Sequence, residues 1–414
     1  MRRHRAGRLW PAALGLTALI VAACSSGSAS TTSNGTKPIV IGMTASLTGQ
    51  FSADGHALQR GYELWASDVN THGGLLGRPV QLKILNDNSN PNTVSKDYTQ
   101  LITSDHVNLT VGPYSSLLTG PAGQVAAKYH YALTEGAGSA PLIFGLKLHN
   151  LFGVSAPIQA EMKPFAAWVA ALPPGQRPVT AAYPMVQDPF ADPPVQATQA
   201  TLQRAGVRTV YSHIIANPKG GALAAAAAAV AKSHAQAVVL GSVDVPTVLA
   251  FIHVFEKQKY TPKMLIAAAG PDQGAAFLNY VGRANANGIM VPDGWYGAVQ
   301  NALSHVMVQE YIAKYGGTSS SVNADVAEAY SAGEAMAAAV TGTHSLNQAK
   351  LISYLHAHTL QTVQGPAKFD SVGRNDAAPH FIFQWQNGQF LQVLPVNAPG
   401  SARLERTKQA WLRS

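Results

Sequence analysis

Ile39-Val40-Ile41-Gly42-Met43, then Leu58, Tyr62, Trp65 and Val69, then Val80-Gln81-Leu82-Lys83-Ile84-Leu85: this stretch decides the fold. The first run is short and apolar, which predicts a buried strand. The next four residues recur at helical spacing and share one face of a helix. Val80 to Leu85 is again a strand. Strand, helix, strand predicts a parallel βαβ unit with a right-handed crossover.

The same rhythm continues outward. Val94, Tyr98, Leu101 and Ile102 mark a helix face. Residues 108–111 read as a strand, 117–128 as a helix and 131–134 as a strand. The pattern then restarts. Strands are predicted at 179–183, 207–214, 237–240 and 264–268, with helices at 195–205, 221–233 and 245–257 between them. Two sets of units predict two similar lobes. Helices at 302–315, 325–340 and 348–356 follow. Near the end, two aromatic-rich runs flank Asn387-Gly388, which predicts a hairpin. In open parallel sheets, ligands sit beyond the carboxyl ends of the strands. That points to six loops, at 46–55, 112–116, 135–139, 187–192, 241–246 and 270–274.

The beginning of the chain has a different character. Arg2, Arg3, Arg5 and Arg8 precede an apolar stretch that ends in Val21-Ala22-Ala23-Cys24. A basic head, a short apolar run and small residues before a cut site predict a secretory signal over residues 1–23. Cys24 is the only cysteine, and it stands where a lipobox places its modified residue. This resembles the bacterial lipoprotein signal, which implies lipidation of Cys24 and a membrane anchor on the extracytoplasmic face. From Ser25 to Lys37 no apolar side chain larger than Ala occurs, so this segment is expected to be a tether with a reach of roughly 20 Å.

The 414 residues carry a formal charge of +8, and only 12% are charged. Four of the positive charges belong to the signal, which leaves 25 basic against 21 acidic residues, a balance of +4. The basic residues are scattered, so no nucleic-acid partner is expected. A lone cysteine cannot form a disulfide within one chain.

Ser46-Leu47-Thr48-Gly49, Gly55, Gly61, Asp68-Val69-Asn70, Gly73-Gly74, Gly77-Arg78-Pro79, Asp87, Asn90-Pro91 and Val111-Gly112-Pro113-Tyr114-Ser115-Ser116 stand in a distinctive series. Asp188-Pro189-Phe190, Gly206 and Gly270-Pro271-Asp272 continue it. Together they resemble the type I periplasmic binding proteins of the Leu/Ile/Val-binding class, which serve ABC importers. The resemblance implies an α/β fold of two Rossmann-like lobes with parallel sheets, joined by three crossovers. Lobe I would take residues 38–154 and about 292–360; lobe II would take about 155–291 and 361–400, with a tail at 401–414. It also implies a monomer that closes on a small polar ligand, an amino acid or a related amide or carboxylate, and hands it to a permease. No cofactor and no metal are implied.

The resemblance places Ser116, with Ser115 before it, at a ligand carboxylate, where a helix N-terminus favours an anion. The bland alternative is that these serines cap the helix. Ala137 and Ser139 fall in the next ligand-contacting loop, and Asp272 at the acid that meets an ammonium; a helix cap is the alternative for Asp272. The chain also departs from the pattern. Asp54 and Val243 stand where relatives often carry aromatic residues, and Phe190 where a Tyr is common. Phe51, Tyr114, Trp295 and Tyr296 are candidates to supply aromatic contact instead.

The rival readings are a sensor that binds the same ligands without transport, and a secreted hydrolase. For the hydrolase, neither G-x-S-x-G nor H-E-x-x-H occurs, and the fourteen histidines are dispersed. No catalytic residue is therefore expected.

Overall fold

The structure is a computed structural model that describes residues 37–218, 221–297, 301–398 and 400–412. Cys24, the signal and nearly all of the tether lie outside them.

The first lobe opens as the periodicity predicts, with β1 (Ile39–Ala45), α1 (Ser52–Thr71), β2 (Val80–Asn86), α2 (Pro91–Thr103), β3 (Leu109–Val111), α3 (Ser116–Lys128) and β4 (Leu133–Glu135), and adds α4 (Pro141–Gly145) and β5 (Leu151–Gly153), which it does not predict. The five strands form one sheet in the order β2-β1-β3-β4-β5, all parallel. β3, β4 and β5 are wholly buried, as short apolar strands covered on both faces must be.

The chain then crosses to the second lobe through α5 (Ile158–Glu161) and α6 (Lys163–Ala171). There follow β6 (Thr180–Val186), α7 (Asp192–Arg204), β7 (Arg208–Ile215), α8 (Gly221–Lys232), β8 (Ala237–Leu240), α9 (Val245–Lys257), β9 (Met264–Ala267), α10 (Ala275–Val281), α11 (Arg283–Ala286) and β10 (Ile289–Asp293). A second crossing leads back to α12 (Ala302–Tyr315), α13 (Ala324–Thr343) and α14 (Gln348–Ala357), and to the short pair β11 (Leu360–Thr362) and β12 (Gly365–Ala367). The third crossing ends in the predicted hairpin, β13 (Phe381–Gln386) and β14 (Gln389–Leu394). The hairpin joins the second sheet, whose order is β14-β13-β10-β9-β8-β6-β7. Only β13 and β14 run antiparallel to their neighbours. Residues beyond the hairpin lie along the same lobe: Lys408 Nζ donates to the Asn287 carbonyl, and Trp411 Nε1 to that of Tyr260.

α13 belongs to the first lobe although it lies more than 250 residues after α1. The two helices touch backbone to side chain. A Cβ on Gly61 would stand 2.4 Å from the Val326 carbonyl oxygen, and one on Gly333 would stand 2.3 Å from the Trp65 ring. The glycines permit this approach, and the approach brings the N-terminus of α13 to the mouth of the first sheet. Asn323 caps it by accepting from Asp325 N at 2.8 Å.

Candidate functional site

The carboxyl ends of both sheets meet at a cavity of about 40 Å³. A single water needs about 10–15 Å³ on this measure, so the cavity has room for a few small groups. The first lobe contributes Tyr114 from the loop after β3, and Ala137 and Ser139 from the loop after β4. The second contributes Phe190 after β6, Asp272 after β9 and Asp293 at the end of β10. Glu161 enters from the first crossing, and Asp325 and Glu328 from the first turns of α13. Among the described residues, no lysine, arginine or histidine lines this space.

Five of the twelve residues marked by the sequence thus line one cavity: Tyr114, Ala137, Ser139, Phe190 and Asp272. The other seven do not line it. Phe51 is buried at the start of α1 and packs edge-on against Tyr114, with centroids 5.5 Å apart. Val243 is core. Ser116 Oγ accepts from the backbone N–H groups of Ser139 and Ala140, each at 3.2 Å. It therefore ties the two cavity loops of the first lobe together. Ser115 sits at the N-cap of α3 with φ of 70°, an uncommon value for a residue with a side chain. Its buried hydroxyl makes no cap bond and has no hydrogen-bond partner among the described residues. Asp54 is 2% exposed, and its Oδ1 likewise has no partner.

Asp272 is not a helix cap. Gly274 takes the cap position of α10, and Asp272 Oδ1 instead accepts from Gly270 N at 2.6 Å, closing its own loop. Trp295 and Tyr296 have structural partners: Trp295 Nε1 donates to Ser304 Oγ at 2.8 Å, and Tyr296 packs on Phe383.

Glu161, Asp293, Asp325 and Glu328 were not singled out by the sequence. Glu161 lies in a four-residue helix too short for any period to show. Asp325 and Glu328 look like ordinary acids at a helix N-terminus, where they complement the dipole. Asp293 ends the run Ile289-Met290-Val291-Pro292, which reads as a strand once its place in the sheet is known. The available signal was the position of each acid at the carboxyl end of a strand or the start of a helix facing the cleft.

These acids perturb one another. Burial pushes Asp272 up to about 6. Burial, and then the charge of Asp272, push Asp325 up to about 8. Glu161, Asp293 and Glu328 rise well above the usual carboxylate range, first through burial and then through neighbouring acids. Asp54 is raised in the same way by burial and by Asp325, Asp272 and Asp244. Behind the cavity, Glu135 is fully buried; it accepts from Gly138 N through Oε2, and its Oε1 is unpartnered.

Polar clasps join the lobes beside the cavity. Gln273 Nε2 donates to Asp325 Oδ2 at 3.3 Å, and Asn323 Nδ2 donates to Gln273 Oε1. Gln50 Nε2 donates to Asp244 Oδ2 at 3.1 Å. Among the described residues no group of three or more His, Cys, Asp or Glu has the geometry to hold a metal ion.

Several known proteins are similar. An amino acid binding protein of Pseudomonas aeruginosa is 22% identical over 369 residues, spanning 86% of this chain and 92% of that protein. The substrate-binding protein LivJ of Streptococcus pneumoniae, solved with isoleucine, superposes with a TM-score of 0.72 at 18% identity, covering 86% of this chain and 98% of the other. A solute-binding protein of R. palustris, solved with benzoate, gives 0.73 at 17% identity, covering 90% and 100%. These structures share the two-lobed fold. The family model described as periplasmic binding protein matches residues 38–389, and the chain belongs to that family.

Proposed function

We propose that the protein captures an amino-acid-like solute between its lobes and delivers it to an ABC importer, without transforming it. The observation that carries this reading is the cavity itself. It lies at the carboxyl ends of both sheets, is walled by both lobes, and is flanked by polar clasps that hold only when the lobes meet. Capture by hinge closure needs these features and nothing catalytic. Thermal-shift screening of amino acids, amides and small carboxylates tests it, followed by small-angle scattering. A binder should stabilise the protein by about 2.7 kcal/mol at one hundred times its Kd, and should compact it. A stabilising solute that leaves the scattering profile unchanged would remove the closing-cleft mechanism.

We further propose that Cys24 carries a lipid that holds the protein at the outer face of the cell membrane. Val21-Ala22-Ala23-Cys24 and the Ser/Gly/Thr tether support this. No helix among the described residues is long and apolar enough to cross a membrane. Cys24→Ala should move the protein from the membrane fraction to the soluble fraction with its melting temperature unchanged. Retention of that variant after a high-salt wash argues against the lipid.

A further inference from the structure

We propose that the solute taken by this cleft carries two cationic groups, as an α,ω-diamine or a basic amino acid does. The inference rests on the capture reading and names its substrate class.

Each hydrogen bond to the cavity carboxylates comes from a neutral donor. Asp272 receives Gly270 N–H, Asp293 receives Trp295 N–H at 3.0 Å, Asp325 receives the Gln273 amide, and Glu328 receives the Ser155 hydroxyl at 3.4 Å. Among the described residues, no cationic side chain offsets them within the cavity wall. Buried carboxylates in such a place either keep a proton or wait for a positive partner.

The acids reach the cavity from several elements: Asp272 from the loop after β9, Asp293 from the end of β10, Glu161 from α5, and Asp325 and Glu328 from α13. They form one cluster, in which Asp272 perturbs Asp293 and Glu161 as well as Asp325. Five carboxyl groups around one small space exceed what a single ammonium can pair with. Asp54 does not line the cavity, but its buried Oδ1 has no partner among the described residues, as befits an oxygen that keeps a proton or awaits a donor. Tyr114 and Phe190 add aromatic surface, which tolerates an alkyl chain and attracts an ammonium. The limited space favours slender alkylammonium groups over bulky ones.

The experiment is calorimetry on the full chain with α,ω-diamines of increasing length, lysine, arginine, n-butylamine, leucine and benzoate, at several pH values and in buffers of different ionisation enthalpy. A dication should bind at least about tenfold more tightly than n-butylamine or leucine, since a desolvated charge pair is lost in the latter two. It should displace protons held by Asp272, which titrates near 6, and by Asp325, which titrates near 8. Affinity should therefore rise with pH across that interval, by up to about tenfold per unit for each proton released. Asp54, Asp244, Asp293, Glu161, Glu328, Glu135 and Tyr114 surround these two groups and contribute in the same sense. Asp325→Asn and Glu328→Gln should each weaken the dication by about tenfold or more while leaving the unliganded protein folded. Tighter binding of leucine or benzoate than of every dication overturns the inference. So does an affinity that falls as pH rises, which would mean that the acids serve as protonated donors to a neutral solute. Failure of every dication to bind overturns it too. Compaction with a non-cationic solute would then leave the capture reading standing, and compaction with none would remove both.

Discussion

At the scale of single residues, the cavity turns ordinary chemistry to two different ends. Asp272 holds its loop through Gly270 and faces a cavity wall that has no basic side chain among the described residues. Replacing it with Asn keeps the shape and removes the charge. Calorimetry on Asp272→Asn should show an ammonium-bearing solute weakened by about 2–5 kcal/mol, because a buried charge loses its partner. Denaturation of the empty protein should show the same variant slightly more stable, because one repelling acid is gone. Ser116 behaves differently. Its hydroxyl is the acceptor for two backbone N–H groups of the neighbouring loop. Ser116→Ala should lower stability by about 1–3 kcal/mol in denaturant titration, as two buried donors lose their acceptor. The pattern of residue types puts Ser116 at the start of α3 but does not tell a hydroxyl that meets a ligand from one that holds the loop. That distinction depends on which way Ser139 and Ala140 direct their N–H groups.

At the scale of elements, the helices with strong periodicity were legible. The predicted bounds of 245–257 and 302–315 coincide with α9 and α12. The Asn387-Gly388 turn likewise fixed the β13–β14 hairpin. β5, α4, α5 and β10 were missed, since each is five residues or fewer and too short to carry a period. Two of them matter here, because α5 and β10 deliver Glu161 and Asp293 to the cavity. The N-terminus of α13 matters most. Asn323, Asp325 and Gln273 form a hydrogen-bonded set across the two lobes. Gln273→Ala removes both contacts that the second lobe makes there. Small-angle scattering of the unliganded variant should show a larger radius of gyration, as the open arrangement gains population. Ligand affinity should fall in proportion to the lost closed fraction. An unchanged radius would mean that the clasp does not govern closure.

Across the whole molecule, the acid cluster sets how stability responds to pH. A carboxyl whose folded value lies above its unfolded one binds more protons in the native state. Its contribution is present at low pH and is lost as pH rises between the two values. Asp272 at about 6 and Asp325 at about 8 both move in this direction, as do Asp192 at about 6 and Glu334 at about 8. The empty protein should therefore melt at a lower temperature at pH 8 than at pH 5. Asp272 alone accounts for about 1–1.5 kcal/mol of that difference, because only about one unit of its range, from 3.8 to about 6, lies above pH 5, at roughly 1.4 kcal/mol per unit. A saturating dication should flatten the profile. Scanning calorimetry across this range checks both statements, and a rising profile for the empty protein would contradict the assignment of the cluster. The two lobes were readable in the sequence because repeated βα units restart after residue 178, whereas the three crossings came only from the family resemblance. The joint electrostatics of the cluster were not, because its members are spread from Asp54 to Glu328 and only the fold brings them together.

The late return of the chain to its first lobe has a kinetic consequence. Tyr62 and Trp65 are almost fully buried, and the helix that covers their element, α13, is encoded more than 250 residues later. At about 5–20 residues per second of synthesis, that face stays uncovered for roughly 15–50 s. Contacts of such long range also close slowly once both partners exist. A nascent chain wired this way cannot finish either half early, and it remains threadable through a narrow translocation channel for most of its synthesis. For a chain exported as proposed above, such late closure favours folding after the membrane has been crossed.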